Sequence, residues 1–206
     1  MKGPPRKEPD DDGDDPVTAS DAELVRSSLH RPEHFAELFD RHGDEIHRYV
    51  ARRLGAAAAE DVVAETFLTA FRKRASYDLD RPDARPWLYG IAAFAIRDHL
   101  RSEQRRGRLL ARLRPARAES FDERSDARVA AQGLRPELAA ALARLSPDDR
   151  ELLLLIAWAE LSYEEAARAL GVPLGTVRSR LHRIRAKMRG AFGGVNPLLT
   201  SEESLA

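Results

Sequence analysis

Residues 161–189 read LSYEEAARALGVPLGTVRSRLHRIRAKMR, two helical periods with one break between them. Ser162 and Glu165 stand three apart, the spacing of a capping box, so a helix is predicted to start there. Gly171 supplies the backbone freedom for a turn after Leu170, and Pro173 suits the first turn of a second helix. In that second helix Val177, Leu181, Ile184 and Met188 recur at helical spacing and are predicted to face inward. At 100° per residue, Thr176, Ser179, His182 and Arg183 fall on the opposite side. Arg178, Arg185, Lys187 and Arg189 flank them, with no acidic residue from Thr176 to Arg189. A short helix, a glycine turn and a basic second helix with one polar face form the pattern of a DNA-reading helix-turn-helix. An amphipathic hairpin with a solvated basic face has the same periodicity.

Upstream of this unit, Leu138, Leu142 and Leu145 make a short apolar stripe. Ser146-Pro147-Asp148-Asp149 then reads as an N-cap with proline at the first helical position, opening a helix around Leu152–Trp158. Residues 135–192 thus form one small bundle. Before it, residues 107–134 are broken by Pro115 and Gly133 and filled with arginine, which reads as a flexible basic linker. Fully extended, such a segment spans roughly 90–100 Å. Residues 20–106 form a second bundle of about four helices. A capping box at Ser20–Glu23 opens it, and Pro32 starts a long helix with Phe35, Leu38, Phe39, Ile46, Tyr49, Val50 and Leu54 as its apolar stripe. In EDVVAETFLTAFRKR, Val63, Phe67, Ala70 and Phe71 point inward while Asp61, Glu65 and Arg72 point out. Residues 76–86 read as a loop, leading into a stretch from Trp87 that is apolar nearly all round and therefore expected to be buried. Residues 1–19 and 193–206 read as disordered tails, the first of them acidic. The fold class is all-α: two small helical bundles joined by a linker.

Composition narrows the function. The 206 residues include no cysteine, which removes disulfides and thiolate metal sites. No apolar run reaches membrane-spanning length and no signal peptide is evident, so a cytoplasmic protein without membrane insertion is expected. The formal net charge is +0, but acids crowd residues 1–16 while arginines crowd residues 101–117 and 178–189. His30, His34, His42 and His47 lie close in sequence without HExxH or another diagnostic spacing, which argues against a metal enzyme. No Gly-rich phosphate loop or nucleophile elbow occurs. Neither a cofactor nor catalysis by the chain itself is expected.

Two separated blocks, AEDVVAETFLTAF with PWLYGIAAFAIRDHLR and LSPDDRELLLLIAWAELSYEEAARALGVPLGTVRSRLHRIRAKMR, resemble regions 2 and 4 of bacterial RNA polymerase sigma factors of the extracytoplasmic-function (ECF) group of the sigma-70 family. The resemblance implies two DNA-contacting modules carried by core RNA polymerase. Region 4 would read the minus thirty-five element through Arg178, Ser179, His182 and Arg183, with Thr176 and neighbouring arginines on phosphates. Region 2 would open and read the minus ten element with the loop and helix of residues 76–101, Tyr77 helping to line a pocket for a flipped base and Arg97 and Arg101 near the backbone. Asp61 and Glu65 would dock on the beta-prime clamp helices, and the beta subunit would be a further contact. Promoter DNA and an anti-sigma factor are the other partners the resemblance implies. Family members often carry glutamine at the position of Ala64, and a polar pair including asparagine where this chain has Ala93-Phe94, so base preference at the minus ten element does not carry over. A stand-alone DNA-binding regulator would share the helix-turn-helix but needs no polymerase-docking helix.

Overall fold

The computed structural model describes residues 19–113 and 136–191, and every regular element in them is helical. Helix α1 spans Asp21–Ser28. Its start is fixed by the Ser20 hydroxyl, which accepts the Glu23 N–H, while the Ser20 N–H donates to the Glu23 carboxylate at 2.7 Å. Pro32 opens a 3-10 turn, Pro32–Phe35, rather than the long helix itself, and α2 follows as Ala36–Leu54. Gly55 separates α2 from α3, Ala56–Lys73, so the alanine run forms the first turn of α3.

Helix α4 spans Arg85–Leu113 and runs past the expected bundle limit at residue 106. Gly107 inside it costs only about 1 kcal/mol, and the helix-forming residues Leu109–Leu113 carry the helix on. The remainder of the expected linker, and both expected tails apart from Ala19, lie outside the described residues. The second bundle contains α5 (Pro136–Ala143), α6 (Pro147–Ala157), α7 (Tyr163–Leu170) and α8 (Leu174–Ala191).

In the first bundle Leu38, Ile46 and Val50 of α2 pack with Val63, Phe67 and Ala70 of α3 and Leu88, Ala92 and Ile96 of α4. Two expected inward residues are exposed. Phe39 is 49% exposed, leaning its edge on Phe67 at the outer rim of the core, and Phe94 is 61% exposed on the outward side of α4. Helical geometry explains the second. A 29-residue helix lying on the bundle's surface keeps one side in water, however apolar the local sequence. In the second bundle Leu142, Leu145, Leu152, Leu155, Leu161, Val177, Leu181 and Ile184 form the core.

The two cores are continuous, because α4 packs directly on α7. The approach is as close as backbone allows. A Cβ added at Gly90 of α4 would fall 2.4 Å from the Ala169 carbonyl oxygen of α7. Arg85 crosses the same seam, donating through Nε to Glu45 at 2.8 Å and through Nη2 to the Ala159 carbonyl at 2.5 Å.

Candidate nucleic-acid interface

The turn between α7 and α8 is built by local chemistry. Ser162 and Glu165 form the reciprocal capping box at the start of α7. At its end Gly171 adopts the left-handed conformation (φ 63°), its N–H donating to Arg168 O and that of Val172 to Ala167 O. That pair of bonds is a Schellman motif and satisfies two terminal carbonyls. Pro173 sits just outside α8, its carbonyl accepting from Thr176 and Val177. Val177, Leu181 and Ile184 are buried and Met188 half-buried, so the opposite side of α8 is presented outward.

Arg178, Ser179, His182 and Arg183 are all exposed on that side, and Thr176 is half-buried at its edge. Arg178 lies 3.7 Å from Glu164, a solvent-exposed pair that dissociates at little cost. Ser179 donates to the Thr176 carbonyl. Among the described residues neither His182 nor Arg183 has a hydrogen-bond or ion-pair partner. Arg185 is directed onto the Tyr163 hydroxyl, and Lys187 toward Asp149 at 3.7 Å. The helix therefore offers donors on a surface where carboxylates approach only Arg178 near its start and Lys187 near its end among the described residues.

The expected minus ten surface is more constrained. Tyr77 is 8% exposed, its hydroxyl donates to Arg81 O and its ring lies 4.9 Å from that of Trp87, so no face of it is open to a base. Its position makes it an anchor of the loop, which is further tied by Asp21 accepting the Ala84 N–H. Arg97 is half-buried and lies 3.6 Å from Asp148 of α6, whereas Arg101 is exposed. Asp61 and Glu65 stand exposed on one side of α3, Glu65 accepting only the Thr69 hydroxyl.

Residues 38–106 match the Sigma-70 region 2 family and residues 135–188 match Sigma-70, region 4. The sigma factor CarQ of Myxococcus xanthus is 36% identical over 165 residues, covering 77% of this chain and 89% of CarQ. The chain belongs to the ECF group of sigma-70 factors. SigW of Bacillus subtilis, an ECF sigma factor, is 31% identical over 167 residues, covering 75% of this chain and 87% of its own. The solved structure of CnrH in complex with the cytosolic domain of CnrY shares 28% identity with a TM-score of 0.57, covering 85% of this chain and 99% of that one. As an ECF sigma factor this protein directs promoter recognition and transcription initiation by RNA polymerase.

Sequence reading missed two charged clusters in this sigma factor. Tyr49, Arg53 and Glu151 meet between the bundles, with Tyr49 Oη donating to Glu151 at 2.6 Å and Arg53 to the same oxygen at 3.0 Å. Burial and the Glu151 charge raise the Tyr49 pKa, which keeps the phenol protonated and donating. Burial alone would lower the Arg53 pKa, but Glu151 and Tyr49 raise it, so the guanidinium stays charged. In the first bundle His42 lies between Asp21 and Glu45, 2.8 Å from each. Burial disfavours its charge, yet the two carboxylates hold its pKa up to about 9. Asp21, His42 and Asp83 gather within 4.8 Å, and both His42 ring nitrogens already lie 2.8 Å from carboxylate oxygens of Asp21 and Glu45. Among the described residues no helix is long and apolar enough to cross a membrane.

Proposed function

We propose that the sigma factor divides promoter reading between residues 20–106 and residues 135–192. Arg178, Ser179, His182 and Arg183 of α8 read the minus thirty-five element in the major groove, and Thr176 contacts phosphate. The observation that carries this is the exposed, mostly unpaired polar side of α8 backed by buried Val177, Leu181 and Ile184. An arginine on guanine O6 and N7 gives about 1–3 kcal/mol of discrimination. Arg97 and Arg101 approach the backbone of the minus ten element. Exposed Phe94, one turn before Arg97, offers a stacking face for an unpaired base where a hydrogen-bonding side chain is absent. Tyr77 supports that surface by holding the loop. Asp61 and Glu65 dock on core polymerase, where interfacial charge governs orientation and encounter rate.

The chain acts in the cytoplasm, where polymerase and promoters meet, and bond formation belongs to the polymerase. An anti-sigma factor that covers these surfaces would silence it. CnrH is similar to this chain and its solved complex contains CnrY. Run-off transcription from genomic fragments with core polymerase tests the assignment. Arg183→Ala is expected to lose promoter choice while still binding core, and Asp61→Lys to lose core binding. Retention of promoter choice by Arg183→Ala would remove that residue from the reading set.

A further inference from the structure

Residues 77–84 carry the chain from the end of α3 to the start of α4. Much of the bonding in this loop is internal. The Tyr77 hydroxyl donates to Arg81 O, and the Asp78 carboxylate accepts the Asp80 N–H and Arg81 Nε. Such bonds set the loop's shape but not where it sits. Tyr77 seats one end against Trp87. The other end is held at the first turn of α1, where Asp21 Oδ2 accepts the Ala84 N–H at 2.9 Å and the Ala22 N–H donates to Pro82 O at 3.4 Å.

Asp21 is 7% exposed, and α2 holds its carboxylate in turn. Arg41 lies 3.3 Å from Oδ1, while His42 Nε2 lies 2.8 Å from the same Oδ2 that holds Ala84. The far side of the His42 ring faces Glu45, with Nδ1 2.8 Å from Oε1. Arg41 and Arg85 thus occupy the outer oxygens of the two carboxylates, Oδ1 of Asp21 and Oε2 of Glu45, and leave the inner ones to the ring. Asp83 of the loop stands in the same cluster, and Glu37 pairs with Arg41.

We propose that Asp21 and His42 are positioning residues for the minus ten element: Asp21 pins the loop of residues 77–84 against α1, and His42 sets how firmly the pin holds. The donor count makes the hold conditional. Two carboxylates face the two ring nitrogens, and only the doubly protonated imidazole donates to both. With one proton fewer, a lone pair faces either Asp21 or Glu45. Facing Asp21, it repels the oxygen that holds Ala84. Facing Glu45, it leaves Asp21 a neutral donor in place of a charge-assisted one, roughly half as strong. Either way the pin loosens. Burial works against the ring's charge, but Asp21 and Glu45 hold its pKa up to about 9. The loop is therefore firmly seated at neutral pH and loosens as pH rises through that value. A loop seated in advance takes an unpaired strand without the ordering cost that a loose one carries.

Hydrogen exchange and DNA binding test the pin. In the free chain at pH 7 the Ala84 amide should exchange slowly, and Asp21→Ala should speed it on the order of tenfold while amides of α7 and α8 keep their protection. The DNA probe is a labelled single strand copied from the minus ten region of a fragment that run-off transcription selects. Bound to core polymerase, Asp21→Ala should hold it on the order of tenfold more weakly than the parent, with binding of a duplex carrying only the minus thirty-five element unchanged. Between pH 7 and about 9.5 the parent complex should lose a similar factor for the single strand. His42→Gln, whose amide donates to Asp21 at any pH, should stay within about threefold of the parent at pH 7 and remain flat across the range. Polymerase and DNA are the same in both complexes, so their own titration cancels. If Asp21→Ala unfolds, the His42→Gln profile still decides. A protected Ala84 in Asp21→Ala, a flat parent profile, or a parallel fall in His42→Gln would each overturn the proposal. Equal weakening of both DNA probes by Asp21→Ala would also overturn it, since that marks a general loss of structure.

This inference rests on the minus ten reading above, and the exchange measurement, made without DNA, separates their failures. Rapid exchange at Ala84 with undiminished single-strand binding would remove the loop from minus ten reading, and the positioning role with it, while Asp21 remains the loop's anchor.

Discussion

His42 carries the clearest consequence of a single side chain. Its folded pKa of about 9 exceeds the ordinary 6.5, so its stabilisation is complete below about pH 6.5 and is lost as pH rises toward 9. Asp21 and Glu45 work in the other direction. Burial would raise their pKa values, but hydrogen bonds from His42, from the Ala84 N–H to Asp21 and from Arg85 to Glu45 hold both below the carboxylate norm. Their contribution therefore disappears in acid. Stability is expected to peak near pH 5–6 and to fall by about 2 kcal/mol between 6.5 and 9, a figure reduced for the partial solvent access of the site. Urea titrations across that range should show the decline, and His42→Asn should flatten it. Phe94 makes the second test at this scale. Phe94→Ala is expected to weaken opening of a duplex promoter by about 1–3 kcal/mol, while a template already mismatched at the minus ten element recovers. Equal loss on both templates would assign Phe94 to something other than the unpaired strand.

At the scale of the helix, starts and stops followed from neighbouring residues and were legible in advance. Ser20, Ser146 and Ser162 all cap as their spacing to residue 23, 149 or 165 implies. Gly171 ends α7 for a reason that sequence displays, since its φ of 63° strains any other L-residue. Gly171→Ala meets no atom within 4 Å, so its cost is backbone strain alone, about 1 kcal/mol. Calorimetry should show a fall of a few degrees in melting temperature, with promoter sequence preference unchanged. The exposed polar side of α8 was visible because it is the complement of a periodic apolar stripe. Arg53 and Glu151 were not. Each lies on a helix where a charged residue reads as solvated, and nothing local signals a partner 98 positions away. The burial of Tyr77 was hidden for a related reason. A tyrosine beside a polar loop reads as available, but only the fold brings Trp87 and the Arg81 carbonyl against it.

For the whole molecule, the continuous core across α4 and α7 makes the two modules thermodynamically dependent. The parent chain is expected to unfold in a single transition, and Glu151→Gln in two, because the uncoupled modules then melt independently. Two transitions in the parent chain would mean that the seam contributes no cooperativity. Helix α4 adds a consequence of another kind. Among its described side chains Ile96 is the last buried one, yet the helix continues to Leu113, about 25 Å farther at 1.5 Å per residue. The covalent connection to the second module therefore leaves from the tip of a boom, not from the body of the bundle. Where that boom points sets the centre of the volume the second module can search, so the spacing of a usable promoter is partly written in the direction of one helix.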